Sequence, residues 1–350
     1  MTTPVAYSDD LETELPEEAA VIAETVETMA RTMGQTFEQH RHAKSGTHAK
    51  SHGVVTGSLT VASDLPAELA QGMFAAPATY EVVVRYASEP GAIDPDQAQR
   101  ARGFALKVLD VPGDKLQDGW TSQDFLFNTW PVIPQGDAKT YLDVIKQRDV
   151  HFGEYRKVML GTALRHPSPK QTLFDRTPNI HPLAFTFYSQ GAFRYGDHVA
   201  KFSVVPVLQS QLDLAEREVS DDDPPGVLHT WVRDYFAEQP ARYEFRVQLL
   251  TDVDAMPIED ASKEWPEDVS PYRTVATIDL PAQESWNIAR RVFAEDVMSW
   301  RPWYCLAAHR PLGSINRVRR DAYEQLGALR HAWNDRTEQN PTSLTDLPPG

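Results

Sequence analysis

Four short stretches carry side chains with chemistry to offer. Thr47-His48-Ala49-Lys50-Ser51 sets an imidazole at the mouth of a strand, beside Gly53 and Gly57, whose small size lets something flat approach the backbone. Imidazole is the side chain best suited to proton transfer near neutrality. Arg85 follows Val82-Val83-Val84 and precedes Tyr86, so a guanidinium in mid-strand either points into a barrel or bears a desolvation penalty. Asn128 lies in Phe127-Asn128-Thr129-Trp130-Pro131-Val132, where the plain reading is a turn residue before proline. In Trp300-Arg301-Pro302-Trp303-Tyr304, an arginine stands three residues before a phenol, on the same face if the segment is helical. A guanidinium there lowers the phenol pKa, and a free phenol near pKa 10 is a poor ligand at neutral pH.

These groups need a scaffold to meet. The spacing predicts a helix opened by Pro16-Glu17-Glu18 and running to about residue 39. Strands are expected at 57–62, 79–88, 104–111, 123–128, 198–207, 242–251 and 272–280, each β-branched and bounded by turn formers. Helices are expected at 137–147, 227–238 and 314–333. Many short strands broken by helices imply a closed or nearly closed antiparallel barrel with added helices, an α+β fold. Residues 1–39 read as an N-terminal tail and helix, 40–335 as the barrel domain with its helices, and 336–350 as a flexible tail.

Composition narrows the function. Lys+Arg 34 against Asp+Glu 50 gives a net charge of −16, which argues against nucleic acid and anionic membrane as partners. A basic pocket remains compatible, because a few buried arginines vanish in that total. The single cysteine, Cys305, cannot form an internal disulfide. No apolar run reaches the roughly 18–20 residues of a membrane span, and the acidic N-terminus lacks a signal pattern. The chain reads as cytoplasmic.

Taken in order, His48-Ala49-Lys50, Val84-Arg85-Tyr86 and Arg102-Gly103-Phe104-Ala105-Leu106-Lys107 resemble the haem catalase family, over about residues 40–320. The resemblance implies an eight-stranded antiparallel barrel with haem b, and its iron, buried against it. The C-terminal helical domain of full-length catalases is expected to be missing, and residues 309–330 resemble a small-catalase branch. The family carries an iron-binding tyrosinate with an arginine four residues before it and a Leu-Gly eight residues after it. Tyr304 is expected to be the iron ligand, since Leu312-Gly313 has that spacing, with Arg301 in support. His48 is expected as the distal base, Asn128 as the amide that holds the departing water, and Arg85 as a propionate partner. His42-Ala43-Lys44-Ser45 offers a competing register for the histidine, and Arg102 reads as structural.

The departures from the family also carry information. The serine that supports the distal histidine falls on Ala87, and Ser88 faces the other side of a regular strand. Thr47 replaces the usual valine and can hydrogen-bond the imidazole, as in catalase-related allene oxide synthases. The expected activity is therefore haem-dependent and more peroxidase-like than catalase-like, on hydrogen peroxide or organic hydroperoxides, by a monomer or homodimer. The alternative is a catalase-fold relative without catalytic haem, its barrel empty or lipid-binding. A third reading builds a non-haem metal site from His40, His42, His48 and His52, and Cys305 is a rival axial thiolate by chemistry alone.

Overall fold

Eight strands close on themselves in the computed structural model, which describes residues 3–165 and 177–349. In chain order they are β1 (Lys50–Val61), β2 (Thr79–Ser88), β3 (Arg102–Val108), β4 (Gln123–Asn128), β5 (Phe187–Tyr188), β7 (His198–Pro206), β8 (Ala241–Leu249) and β9 (Arg273–Leu280). β6 (Ala192–Tyr195) and β10 (Pro311–Leu312) branch from β7. Every pairing is antiparallel; β7 with β8 and β1 with β9 complete the ring. The expected α+β fold with a closed antiparallel eight-stranded barrel is found.

Alternation decides which side chains fill the barrel. Val82, Val84 and Tyr86 of β2, Phe104, Leu106 and Val108 of β3, and Phe125 and Phe127 of β4 point inward. They meet Phe202, Tyr243 and Phe245 in edge and tilted ring contacts such as Phe125–Phe245 at 4.9 Å. The interior is packed, so an empty or lipid-filled barrel interior is not found. Residues of the opposite pleat, among them Arg85, Ala87, Gly103, Ala105, Leu126 and Asn128, face outward.

β1 begins at Lys50, seven residues before the expected start. A bulge at His52 bends it, and Gly57 lets it lie close to β9: a Cβ there would sit 2.0 Å from the Asp279 carbonyl oxygen. The helices of more than ten residues are α1 (Glu18–His40), α2 (Ala138–Val150), α3 (Tyr155–Arg165), α4 (Val227–Glu238) and α5 (Ser314–Trp333) among the described residues. Asp137 caps α2 by accepting from Thr140 N at 2.8 Å. α1, α2 and α5 pack through Val26, Met29, Met33, Ile145, Val318, Ala322 and Leu326 and cover the outer face of β2–β4. The two terminal segments expected to be loose are laid on this body. Tyr7 N donates to Asp197 O, and Leu347 is buried beside Val83 and Met298.

Candidate functional site

A cavity of about 1610 Å³, mouth included, lies between the outer face of β2–β4 and the covering helices. Strand register builds its floor in two rows. Ala87, Gly103 and Asn128 form one, and Arg85, Ala105 and Leu126 the other. Arg85 therefore does not point into the barrel, as one expectation from sequence had it. It turns away, and its burial comes from the helices above.

The loop before β1 delivers His48, whose backbone is left-handed at φ 49°. Arg85 Nη2 donates to the His48 carbonyl at 2.9 Å and steadies that conformation. His48, Thr47, Arg85, Asn128 and Arg301 all line the cavity. His42 does not: its Nε2 lies 2.8 Å from Asp296, and the Asn334 amide lies 3.4 Å from the same nitrogen. Ser88 faces away as expected, accepting from Arg102 and bonding His52 Nε2 at 2.6 Å. The Nδ1 of His48 consequently has no hydrogen-bond partner among the described residues, from Thr47 or from position 87. Arg102 is held by Ser88 and Asn179, away from the cavity.

Tyr304 is not brought to His48. Its ring stacks on Trp120 at 3.7 Å, its hydroxyl donates to Glu338 at 3.3 Å, and Arg301 lies over its face. Trp300 and Arg301 reach the cavity, whereas Tyr304 sits behind them, and burial pushes its phenol pKa well above 10. The segment is a series of turns rather than a helix, with Tyr304 N bonded to Arg301 O, so the expected helical face does not exist. Cys305 is buried away from the cavity, with its thiol pushed up by burial.

Two phenols do line the cavity, Tyr141 on α2 and Tyr323 on α5, and neither was singled out from sequence. Arg319, Tyr323 and Arg330 lie on one stripe of that helix, at spacings of four and seven. Burial pushes the Tyr323 phenol up to about 12, while Arg319 and Arg85 pull it down. The arginine-four-before-tyrosine spacing is present here and could have found the residue; Leu312-Gly313 drew attention to Tyr304 instead. Arg330 donates to Met298 O at 2.7 Å, and burial lowers its guanidinium to about 10.

The lining concentrates charge. Lys44, Arg85, Arg148, Arg301, Arg319 and Arg330 face only two carboxylates, Glu89 and Glu295, within a strongly acidic chain. The Nε atoms of Arg85 and Arg301 are buried without a partner. Apolar side chains, including Met29, Ile315, Val318 and Leu326, complete the walls. Apolar walls and an excess of cations, two of them with a buried Nε atom left over, suit a flat apolar group with an acidic edge. Among the described residues no group of three or more His, Cys, Asp or Glu is arranged to hold a metal ion. No helix among them is long and apolar enough to cross a membrane.

Neither a family model nor a curated protein matches the sequence. Among solved structures, a fungal catalase is similar in fold with a TM-score of 0.55 at 16% identity, covering 85% of this chain. The matched region is 60% of that catalase's length. The chain has a catalase-like fold.

Proposed function

We propose that the cavity binds haem b and that the protein consumes hydroperoxides with it. One observation carries this reading. Arg319, Tyr323 and Arg330 on one helical stripe share a cavity with Arg85, His48 and Asn128 on the strand side. Tyr323, in place of the expected Tyr304, would hold the iron, with Arg319 to favour the phenolate. Arg85, Arg330 and Arg301 would receive the propionates, and the Nε atoms of Arg85 and Arg301, without a partner among the described residues, fit that use. When bound, the group supplies the redox chemistry that breaks a peroxide bond. The protein's part is to bind it, keep water out with apolar walls, and set the Asn128 amide and the His48 imidazole where a peroxide arrives.

The fungal catalase likeness supports a peroxide-related role. The hydroxyl group missing at position 87 favours peroxidase over catalase activity, because no hydrogen bond from the described residues restrains His48 at Nδ1. One observation favours the rival reading, a cavity that holds an apolar ligand and no haem: burial pushes the Tyr323 phenol up, further from the phenolate that an iron ligand must become.

Haem titration separates the two readings. One equivalent should bind tightly and give a Soret band. Tyr323→Phe should abolish or strongly shift that band, while Tyr304→Phe should leave it. A chain that stays colourless with haem in excess defeats the proposal.

A further inference from the structure

Glu89 lines the cavity and was not singled out from sequence. Its Oε1 lies 3.5 Å from His48 Nε2 and accepts from Asn128 Nδ2 at 3.3 Å, and its Oε2 pairs with Arg148 Nη2 at 3.2 Å. One carboxylate thus faces both groups that are expected to handle peroxide. It also stands where the cavity meets a second one of about 760 Å³, since Met29, Gly46, Glu89 and Arg148 line both.

The imidazole's proton follows from this geometry. An ionised carboxylate only accepts hydrogen bonds, so Glu89 favours the tautomer with hydrogen on Nε2, the nitrogen that faces it at 3.5 Å. In the neutral ring the lone pair is then on Nδ1. That atom is turned toward Gly103, where a Cβ would come within 2.5 Å of it. His48 therefore presents a donor to the cavity, and the lone pairs available there belong to Glu89.

We propose that Glu89, rather than His48, takes the proton from an incoming hydroperoxide, and that His48 is the positioning partner that donates to the peroxide. The assignment rests on the hydroperoxide reading above. The peroxide O–H bond breaks and a carboxylic O–H forms on Oε1. The electron pair stays on the peroxide oxygen, held by Nε2–H of His48 and Nδ2–H of Asn128.

The carboxylate's basicity responds to the substrate in the required sense. Burial pushes the Glu89 carboxyl up, but the His48 hydrogen bond and the Arg148 charge outweigh it and hold the group at about 2. A peroxide that inserts between Glu89 and His48 takes the His48 hydrogen bond for itself. The carboxylate loses its largest stabilising partner and becomes a stronger base when a proton is at hand.

Two measurements test this. The first is the ¹⁵N NMR spectrum of ring-labelled histidine in the full chain without haem, which reports the His48 tautomer directly. The Nε2–H form is expected, and a dominant Nδ1–H form overturns the assignment. The second is turnover of cumene hydroperoxide by the haem-loaded chain. Glu89→Gln should lower kcat/KM by roughly 10²- to 10⁴-fold with the Soret band intact. Glu89→Asp should recover part of that loss, and His48→Gln, which keeps a donor, should lose less than Glu89→Gln. An E89Q variant within about threefold of wild type, or an H48Q variant that loses as much, overturns the assignment. A colourless wild type brings down the haem reading and this proposal with it, a failure distinct from the other two.

Discussion

The Cβ that Gly103 lacks would lie 2.5 Å from Nδ1 of His48, so the strand backbone of β3 is the surface on which the imidazole rests. No hydrogen bond holds the ring on that side; shape alone does. Gly103→Ala should push the ring off this rest while leaving the β2–β3–β4 register intact. Misplacement of an acid–base pair by about an ångström costs on the order of a hundredfold. Hydroperoxide turnover should fall by that order, with thermal stability within a few degrees of wild type. An alanine variant with full activity would show that the imidazole has no fixed place in the reaction.

Ala87 is paired with Gly103 in the sheet and faces the same cavity. A serine there sets a hydroxyl beside the orphaned Nδ1. Donation to Nδ1 satisfies that atom and leaves hydrogen on Nε2, in agreement with the Glu89 carboxylate opposite. Losing or gaining such an outer partner changes activity by about tenfold or more. Ala87→Ser should therefore raise hydrogen peroxide turnover on the order of tenfold. Unchanged turnover in a pigment-bearing variant would mean that ring orientation does not limit the reaction.

The strand side of the cavity was legible in the sequence, and the helix side was not. His48, Arg85 and Asn128 lie in or beside strands, where period-two alternation and local motifs fix what faces outward. Tyr323 sits mid-helix in α5, and its use depends on which neighbour that helix covers, which the chain's own periodicity does not say. Glu89, in Ser88-Glu89-Pro90, reads as a turn residue. Its meaning comes only when Arg148, 59 residues away, folds back onto it. Tyr304 misled for a related reason: an aromatic-rich run near a Leu-Gly has the right spacing, but turns at 301–304 aim its ring at Trp120.

The Lys107–Asp124 pair, at 2.7 Å, is fully buried under Tyr304. Ser122 and the Arg301 amide also donate to Asp124, so this carboxylate ties β4 to the segment that lines one side of the cavity. Burial pushes the Asp124 carboxyl up and the Lys107 amine down, and their mutual attraction opposes both. Removing one partner of a buried pair costs about 3–5 kcal/mol, whereas replacing both by apolar groups is often nearly neutral. Lys107→Met should lose that amount in urea unfolding, and K107M/D124L should regain most of it. If the double variant is as unstable as the single one, the pair acts through shape and not through charge.

His309 gives the barrel a built-in sensitivity to acid. Its ring is fully buried among Phe74, Phe125 and Phe202, with Nε2 accepting from Met73 N at 3.0 Å. Burial lowers its pKa from 6.5 to about 3, so the folded chain keeps it neutral where the unfolded chain protonates it. Stability that is complete above pH 6.5 is therefore lost as the pH falls toward 3. The interval corresponds to roughly 5 kcal/mol from this one ring. His181, lowered to about 4 by burial, adds to the same slope. Unfolding free energy measured by urea titration should drop steadily below pH 6.5. His309→Gln, whose amide oxygen can still accept from Met73, should flatten that decline while starting from a lower plateau at pH 8. An unaltered slope in the variant would place the acid sensitivity elsewhere, in the carboxylates.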